Sequence, residues 1–111
     1  MNKISKELMG ASAVPLVLAL LKKSDTYGYE IMQVLKERSS GKINWKEGSL
    51  YPVLSKMEKR KLIKSYWNVK DYDRPRKYYS ILQKGQKELE LLLEERKLIS
   101  DILSDILNPD N

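Results

Sequence analysis

The sequence predicts a mainly α (α+β) fold, a winged helix-turn-helix followed by a long C-terminal dimerisation helix. Three segments with helically spaced apolar residues occupy positions up to about 61, and two strand-like segments rich in tyrosine and β-branched residues come next. The last segment, 83–107, repeats apolar side chains at intervals of three and four. A helix-turn-helix that leads into a hairpin is the arrangement called a winged helix.

The amino-acid composition excludes several kinds of functional site. The chain has 111 residues and contains neither cysteine nor histidine. It therefore lacks the side chains of disulfides, of thiolate or imidazole metal sites and of the usual nucleophile and base pairs. We expect one small domain that is not an enzyme and has no cofactor and no metal site. At this size a dimer interface adds useful apolar burial.

The first helix is expected over 5–23 and is apolar on most of its circumference. Such a helix needs cover on two sides, one from its own domain and one from a partner subunit. Pro15 is expected to kink the helix or delay its start, because proline has no N–H for the ladder. The longest apolar run, 8–21, is shorter than the roughly 20 residues of a membrane span. We therefore expect a cytoplasmic protein with no membrane contact.

The second and third helices are expected at about 27–39 and 47–61, joined by a short extended link. Asp25 and Thr26 suit an N-cap of the second helix, and Gly41 suits its C-terminal end. In the third helix, one face repeats apolar residues at helical spacing: Leu50, Val53, Leu54 and Met57. The opposite face carries Tyr51, Ser55, Lys56, Lys59 and Arg60. Pro52 is tolerated only near the helix start, where N–H groups have no intrahelical partner.

The hairpin is expected from strands 63–69 and 76–81, with a basic, proline-bearing turn at 71–75. Its four rings, Tyr66, Trp67, Tyr78 and Tyr79, are expected to pack within the hairpin, because strand alternation divides them between two faces. Stacking on single-stranded nucleic acid would need the rings exposed together on one face.

The middle of the chain is basic, whereas its C-terminal part is acidic. Residues 46–85 contain eleven Lys and Arg against four Asp and Glu, a net charge of +7, whereas 86–111 contain three against seven, a net charge of −4. We therefore expect a DNA-binding winged-helix domain over 1–82, and over 83–111 a dimerisation helix with a short tail. The residues expected at the dimer interface are Leu89, Leu92, Ile99, Ile102, Leu103 and Ile106.

Several motifs, in their order and spacing, resemble the PadR family of transcriptional regulators. They are Tyr27-Gly28-Tyr29-Glu30-Ile31, Gly48-Ser49-Leu50-Tyr51-Pro52-Val53-Leu54, Leu62-Ile63-Lys64-Ser65-Tyr66-Trp67, Arg76-Lys77-Tyr78-Tyr79-Ser80-Ile81 and Gly85. The resemblance covers residues 6 to about 107. The single C-terminal helix is similar to that of the small-size branch of the family.

The resemblance implies a homodimeric repressor that binds a two-fold-related operator and leaves it when a small molecule binds. It also implies dimerisation through the first and last helices. Carried over to this sequence, the DNA contacts of the family fall on Ser49, Tyr51, Pro52, Ser55 and Lys56 in the third helix and on Arg74, Arg76 and Lys77 in the wing. In the same charge run, Lys59, Arg60 and Lys61 are expected to contact phosphate.

Two departures from the family pattern bear on the mechanism. Relatives often have a glycine before the basic pair of the wing, whereas Pro75 is expected to stiffen the tip here. Multidrug-sensing members place an aromatic residue near position 96, where this chain has Arg96. An anionic or amphipathic effector, or none, therefore competes with a flat drug, and Arg96 could instead snorkel or pair with a carboxylate of the partner. The residues expected to contact an effector are Leu8, Ala11, Leu92, Arg96 and Ile99.

The alternative function is a winged-helix module that binds another protein and not DNA, which the acidic last helix would permit. Salt-sensitive binding to duplex DNA separates these two hypotheses.

Overall fold

The computed structural model describes residues 3–69 and 74–108 and has the four expected helices and the two hairpin strands in the expected order, with one additional short strand. The elements are α1 (Lys6–Lys23), β1 (Thr26–Tyr27), α2 (Gly28–Arg38), α3 (Glu47–Lys59), β2 (Ile63–Asn68), β3 (Arg76–Ile81) and α4 (Gln83–Leu107). This is a winged helix-turn-helix with a long C-terminal helix. The part of the expected turn at 71–73 and the tail from 109 lie outside the described residues. Within those residues, no helix is long and apolar enough to cross a membrane.

The sheet has three antiparallel strands in the order β1-β3-β2. The sequence did not predict the short strand β1. The expectation that Asp25 or Thr26 caps the N-terminus of α2 was also wrong. Thr26 pairs with Tyr79 of β3, and its hydroxyl donates to the side chain of Glu30. The N-cap of α2 is Tyr27, which makes no side-chain capping bond to the described residues. Pairing with a strand far away in sequence outweighed the local capping preference.

The core lies where α1, α2 and α3 meet the sheet. Its best-buried side chains come from all of these elements and from the turn after α3: Val17, Leu18, Leu21, Ile31, Leu50, Leu54, Met57, Leu62 and Ile63. Leu50 is 0% exposed and Leu54 and Met57 are each 1% exposed. The inner face of α3 is therefore fixed by burial, and its opposite face must point outward.

Two prolines lie inside helices, each beyond the first turn. Helix α1 begins at Lys6, so Pro15 does not delay its start, and the hydroxyl of Ser5 caps it by accepting from the N–H of Leu8 at 3.1 Å. Helix α3 begins at Glu47, so Pro52 lies farther in than the first-turn position expected from the sequence. Each proline deprives the carbonyl four residues earlier of its helical donor.

The start of α4 is tightly joined to the end of α3. A Cβ atom on Gly85 would lie 2.2 Å from the carbonyl oxygen of Leu62, so only glycine fits there. The same carbonyl accepts from the N–H of Leu82 at 2.9 Å. Arg60, the residue after α3, forms an ion pair with Glu88 of α4 at 2.9 Å. These contacts hold the start of α4 against the turn that follows α3.

Candidate nucleic-acid interface

The outward face of α3 carries most of the residues that the sequence assigned to DNA contact in this helix. The six side chains, all exposed, are Ser49, Tyr51, Pro52, Ser55, Lys56 and Lys59. They share one face because the apolar positions between them are buried in the core. Arg60 and Lys61 do not extend this face. Arg60 is engaged by Glu88, and Lys61 occupies a turn with a left-handed backbone at φ 64°.

The ring of Tyr51 lies very close to Gly28, the first residue of α2. A Cβ atom on Gly28 would lie 2.4 Å from the hydroxyl oxygen of Tyr51 and 2.8 Å from the ring carbon that bears it. The side chain is still 41% exposed. Tyr51 is therefore a surface residue whose ring position is set by close approach to the first residue of α2, and it does not belong to the core.

The two basic residues at the start of β3 lie on opposite faces of the sheet. The guanidinium carbon of Arg76 lies 4.4 Å from the centre of the Tyr27 ring, a cation–π distance. The ammonium group of Lys77 lies 5.9 Å from the centre of the Tyr79 ring. Arg76 is half-buried, whereas Lys77 and Arg74 are exposed. All three cations nevertheless line one cleft together with Tyr51.

The hairpin rings confirm strand alternation, but one expectation for them was wrong. Tyr79 is buried at 3% exposure, while Tyr78 stacks between Tyr27 and Tyr66 with centroid distances of 5.3 and 5.9 Å. Trp67, by contrast, is 65% exposed and does not pack as expected. The register explains this, since Trp67 is opposite Lys77, beyond the end of the core.

Tyr66 makes a contact that sequence patterns did not indicate. Its hydroxyl donates to the carboxylate of Asp25 at 2.7 Å, across 41 residues of sequence. This hydrogen bond, with the nearby negative charge, raises the pKa of Tyr66 above its ordinary value of 10.0. The bond ties β2 to the connection between α1 and β1. Asp25 therefore serves the hairpin and does not cap α2.

A second surface lies between α1 and α4, away from α3. The five residues that the sequence assigned to an effector line one groove of about 510 Å³: Leu8, Ala11, Leu92, Arg96 and Ile99. The lining is mostly apolar, with Arg96 and Glu95 as its charged members. The structure therefore brings these residues together on one surface of the subunit.

Arg96 donates a hydrogen bond to a carbonyl of α1 that Pro15 leaves without its helical donor. The carbonyl of Ala11 would normally accept from the N–H of residue 15, which proline lacks. The guanidinium of Arg96 donates to that carbonyl at 3.2 Å and to the hydroxyl of Ser12 at 3.3 Å. Arg96 therefore ties α4 to α1 at the carbonyl that Pro15 deprives of its helical donor.

The expected dimer residues divide into one core residue and one exposed stripe. Leu89 is 3% exposed and belongs to the core of its own subunit. Leu92 is half-buried, and the other four are between 46% and 65% exposed: Ile99, Ile102, Leu103 and Ile106. An exposed apolar stripe of this length is typical of a surface that another molecule covers.

Together, these observations define a winged-helix protein in which α3 has an exposed basic face and α4 an exposed apolar stripe. The sequence profile of the "Transcriptional regulator PadR-like family" matches residues 17–91. Uncharacterized protein X of Lysinibacillus sphaericus is 33% identical over 88 residues, which cover 79% of this chain and 81% of that protein. The chain therefore belongs to the PadR-like family of transcriptional regulators. Members of this family are regulators and not enzymes.

Solved structures agree with this assignment. A transcriptional regulator from Clostridium thermocellum has a TM-score of 0.82 and 29% identity, covering 92% of this chain and 96% of that chain. A PadR family transcription regulator from Clostridium difficile has a TM-score of 0.76 and 36% identity, covering 86% and 98%. A PadR-like regulator from Bacillus cereus has a TM-score of 0.79 and 28% identity, covering 92% and 97%. The long C-terminal helix is thus included in the similarity.

Proposed function

We propose that this regulator acts in the cytoplasm as a homodimeric repressor, whose two α3 helices contact a two-fold-related DNA site. We further propose that a small-molecule effector, bound in the groove between α1 and α4, releases it from that site. Family membership supports the regulatory role, and the distribution of exposed charge and apolar surface supports the assignment of elements to DNA and to the partner subunit.

The main support for DNA contact by α3 is the contrast in exposure between its two faces. Leu50, Leu54 and Met57 are at most 1% exposed, while Tyr51 and Lys56 on the opposite face point into solvent. A helix fixed in this way presents a rigid polar and basic face, as recognition helices do in the major groove. The cations of the hairpin lie beside it and are suited to the adjoining phosphates.

The homodimer is supported by the apolar stripe of α4. Ile99 is 58% and Leu103 55% exposed in the single subunit. Burying a side chain of this size contributes about 1.5–3 kcal/mol, so a second copy of the same stripe is a favourable cover. A two-fold axis through α1 and α4 would also place two copies of α3 at a fixed spacing, which a palindromic DNA site requires.

The effector site is supported by the groove at Arg96. The lining is mostly apolar and carries the guanidinium of Arg96 beside the carboxylate of Glu95. Such a groove suits an amphipathic molecule whose negative group reaches Arg96. Such a molecule would compete with Ala11 and Ser12 for the donors of Arg96 and so alter how α4 rests on α1. The contacts of α4 with Arg60 and Leu62, in the turn after α3, would transmit that change to α3.

The test is a gel-shift titration with duplexes selected from random DNA by the purified protein. We expect Tyr51→Ala and Lys56→Ala each to weaken binding at least about tenfold, since a good base or phosphate contact is worth about 1–3 kcal/mol. Lys87→Ala, an exposed lysine on α4, is the matched control and should bind normally. Sedimentation should show that all three variants remain dimers.

Salt separates this function from a protein-binding role. Binding should weaken steeply as salt rises, because cations at the interface release counterions from DNA. Unchanged binding by Tyr51→Ala and Lys56→Ala would remove α3 from the interface. Absence of salt-dependent duplex binding would instead favour a winged-helix module that contacts another protein.

A further inference from the structure

A cleft of about 430 Å³ opens between the start of α2, the start of α3 and the hairpin. We refer to it as the tyrosine cleft, and the lining residues that matter here are Tyr29, Glu47, Tyr51, Arg74, Arg76 and Lys77. Among the residues that the structure describes, three cations and one carboxylate line the cleft, a balance that favours an anion. No role in DNA contact was assigned to α2 from the sequence, yet Tyr29 and the wall behind Tyr51 both come from this helix.

Tyr29 is arranged as a hydrogen-bond donor. Its side chain is 59% exposed, and its hydroxyl oxygen accepts a bond from the amide nitrogen of Gln33 at 2.8 Å. Because Gln33 uses a lone pair of that oxygen, the hydroxyl proton remains available to an incoming acceptor. Gln33 is one turn farther along α2, so the helix itself holds the hydroxyl in position.

The opposite wall supplies a guanidinium. The guanidinium carbon of Arg76 lies 4.4 Å from the centre of the Tyr27 ring, and this contact restricts where the group can move. A guanidinium can donate two parallel bonds to phosphate oxygens. The cleft thus combines a neutral donor from α2 with a positioned cation from β3.

We propose that the tyrosine cleft holds one phosphate of the DNA backbone in each subunit, with Tyr29 and Arg76 as its donors. This inference rests on the proposed function and adds α2 to the DNA contacts. The cleft lies between the two elements proposed to approach neighbouring grooves, α3 and the hairpin. The backbone strand that separates those grooves therefore passes over it, and the phosphate it contacts fixes the register of α3 on the duplex.

The central variant is Tyr29→Phe, which removes one hydroxyl from an exposed ring. We expect it to weaken binding to the selected duplex about tenfold or more, since a hydrogen bond to a charged group is worth about 1.5–3 kcal/mol. Tyr66→Phe is the matched control, because Tyr66 is an exposed hairpin tyrosine whose hydroxyl bonds to Asp25. Its affinity should stay within about twofold of the unmodified protein.

The phosphate itself is identified by replacing single phosphates in the duplex with neutral methylphosphonates. One position in each half-site should weaken binding of the unmodified protein, and the same replacement should have little further effect on Tyr29→Phe. Such non-additivity is the signature of two groups in direct contact. In parallel, Arg76→Gln should lower the slope of log affinity against log salt by about 2 per dimer, one for each cleft.

The outcomes separate the cleft from the wider function. If the unmodified protein binds duplex DNA with a steep salt dependence but Tyr29→Phe behaves like Tyr66→Phe, the cleft assignment is wrong and DNA binding by α3 stands. If the unmodified protein binds no duplex, both fail. If the methylphosphonate replacements weaken binding of Tyr29→Phe as much as they weaken binding of the unmodified protein, Tyr29 does not contact that phosphate and the backbone assignment is overturned.

Discussion

The winged-helix half and the α1–α4 surface differ in how completely a single subunit covers them. Leu54 of α3 is 1% exposed, whereas Ile106 of α4 is 65% exposed, although both are aliphatic residues on an amphipathic helix. The first half has a closed core formed by α1, α2, α3 and the sheet. The second half leaves an apolar stripe in solvent, so its packing is complete only when something else covers it.

Charge follows the same division. The net charge is +7 over residues 46–85 and −4 over 86–111. The half with the closed core therefore attracts a polyanion, while the half with the open stripe repels one. A rigid basic surface and an uncovered acidic helix suit different partners, which is the basis for assigning DNA to one and a second subunit to the other.

The largest expected effect comes from placing charge in the open stripe. Ile99→Glu combined with Leu103→Glu should leave the subunit folded, because both positions are exposed in it, but should abolish the dimer. Loss of bivalent binding then lowers DNA affinity about 100-fold or more. Sedimentation and gel-shift assays measure the two effects. The control is Lys97→Glu, which changes charge between the same turns and loses only a surface ion pair with Asp101.

If the doubly substituted protein remained a dimer, the stripe would have no part in association. Loss of secondary structure would place the two residues in the core of the subunit, contrary to their exposure of 58% and 55%.

The second largest expected effect is a difference in the free energy of unfolding between substitutions in the core and in the stripe of α4. Leu54→Ala should lower the free energy of unfolding by about 2–5 kcal/mol, because it leaves a cavity in a packed interior. Ile106→Ala should change it by less than about 0.5 kcal/mol in a protein diluted below its dimerisation constant. Urea unfolding of both variants at several protein concentrations makes the comparison. Equal losses would mean that the two halves do not differ in packing.

The joint between the halves gives an intermediate effect. Gly85→Ala should destabilise the protein by about 1–3 kcal/mol or more, because the added methyl group would lie 2.2 Å from a backbone oxygen. Gly48→Ala is the control, since among the described residues nothing lies within 4 Å of the added carbon and alanine favours the helix. Thermal unfolding measures both. A Gly85→Ala variant as stable as Gly48→Ala would contradict a tight contact between α4 and Leu62.

The contact between Arg96 and Ala11 predicts a coupling between two substitutions. Arg96→Ala should cost about 1–2 kcal/mol, because the Ala11 carbonyl loses its donor. In a Pro15→Ala background the new N–H can bond to that carbonyl, so Arg96→Ala should cost at least about 0.5 kcal/mol less. Urea unfolding of the four proteins at one concentration gives the coupling energy. Strictly additive losses would show that Arg96 does not compensate for Pro15.

The smallest effect is on alkaline stability. The hydrogen bond to Asp25 raises the pKa of Tyr66 in the folded protein above the ordinary value of 10.0. Its contribution is complete below pH 10, where the unfolded chain also keeps the proton, and is lost as pH rises through the raised pKa. Tyr66→Phe should therefore lose less stability than the unmodified protein between neutral pH and pH 11. Identical pH profiles would exclude a role for this bond.

Sequence periodicity was sufficient for the four helices and the hairpin, because buried and exposed positions repeat at fixed intervals along each. It also indicated which face of α3 points outward. The contacts that hold the site together were not predictable in this way. The pairing of Thr26 with Tyr79, the bond from Tyr66 to Asp25 and that from Arg96 to Ala11 join residues far apart in sequence.

One of these contacts, and the approach of Tyr51 to Gly28, had a usable signal in the sequence. Pro15 in a helix implies a carbonyl without its usual donor, which points to an outside group such as Arg96. Gly28 next to two tyrosines implies a close approach, which the ring of Tyr51 makes. The exposure of Trp67 had no such signal, because it depends on where the core ends beneath the hairpin.

The most direct measurement is the selection of duplex DNA by the purified dimer, followed by hydroxyl-radical footprinting of the selected site. We expect a two-fold-related sequence with protected half-sites about one helical turn, or a multiple of it, apart, as two α3 helices of one dimer require. A single unrepeated footprint, or selection of no sequence at all, would contradict a dimer that reads DNA through two copies of α3.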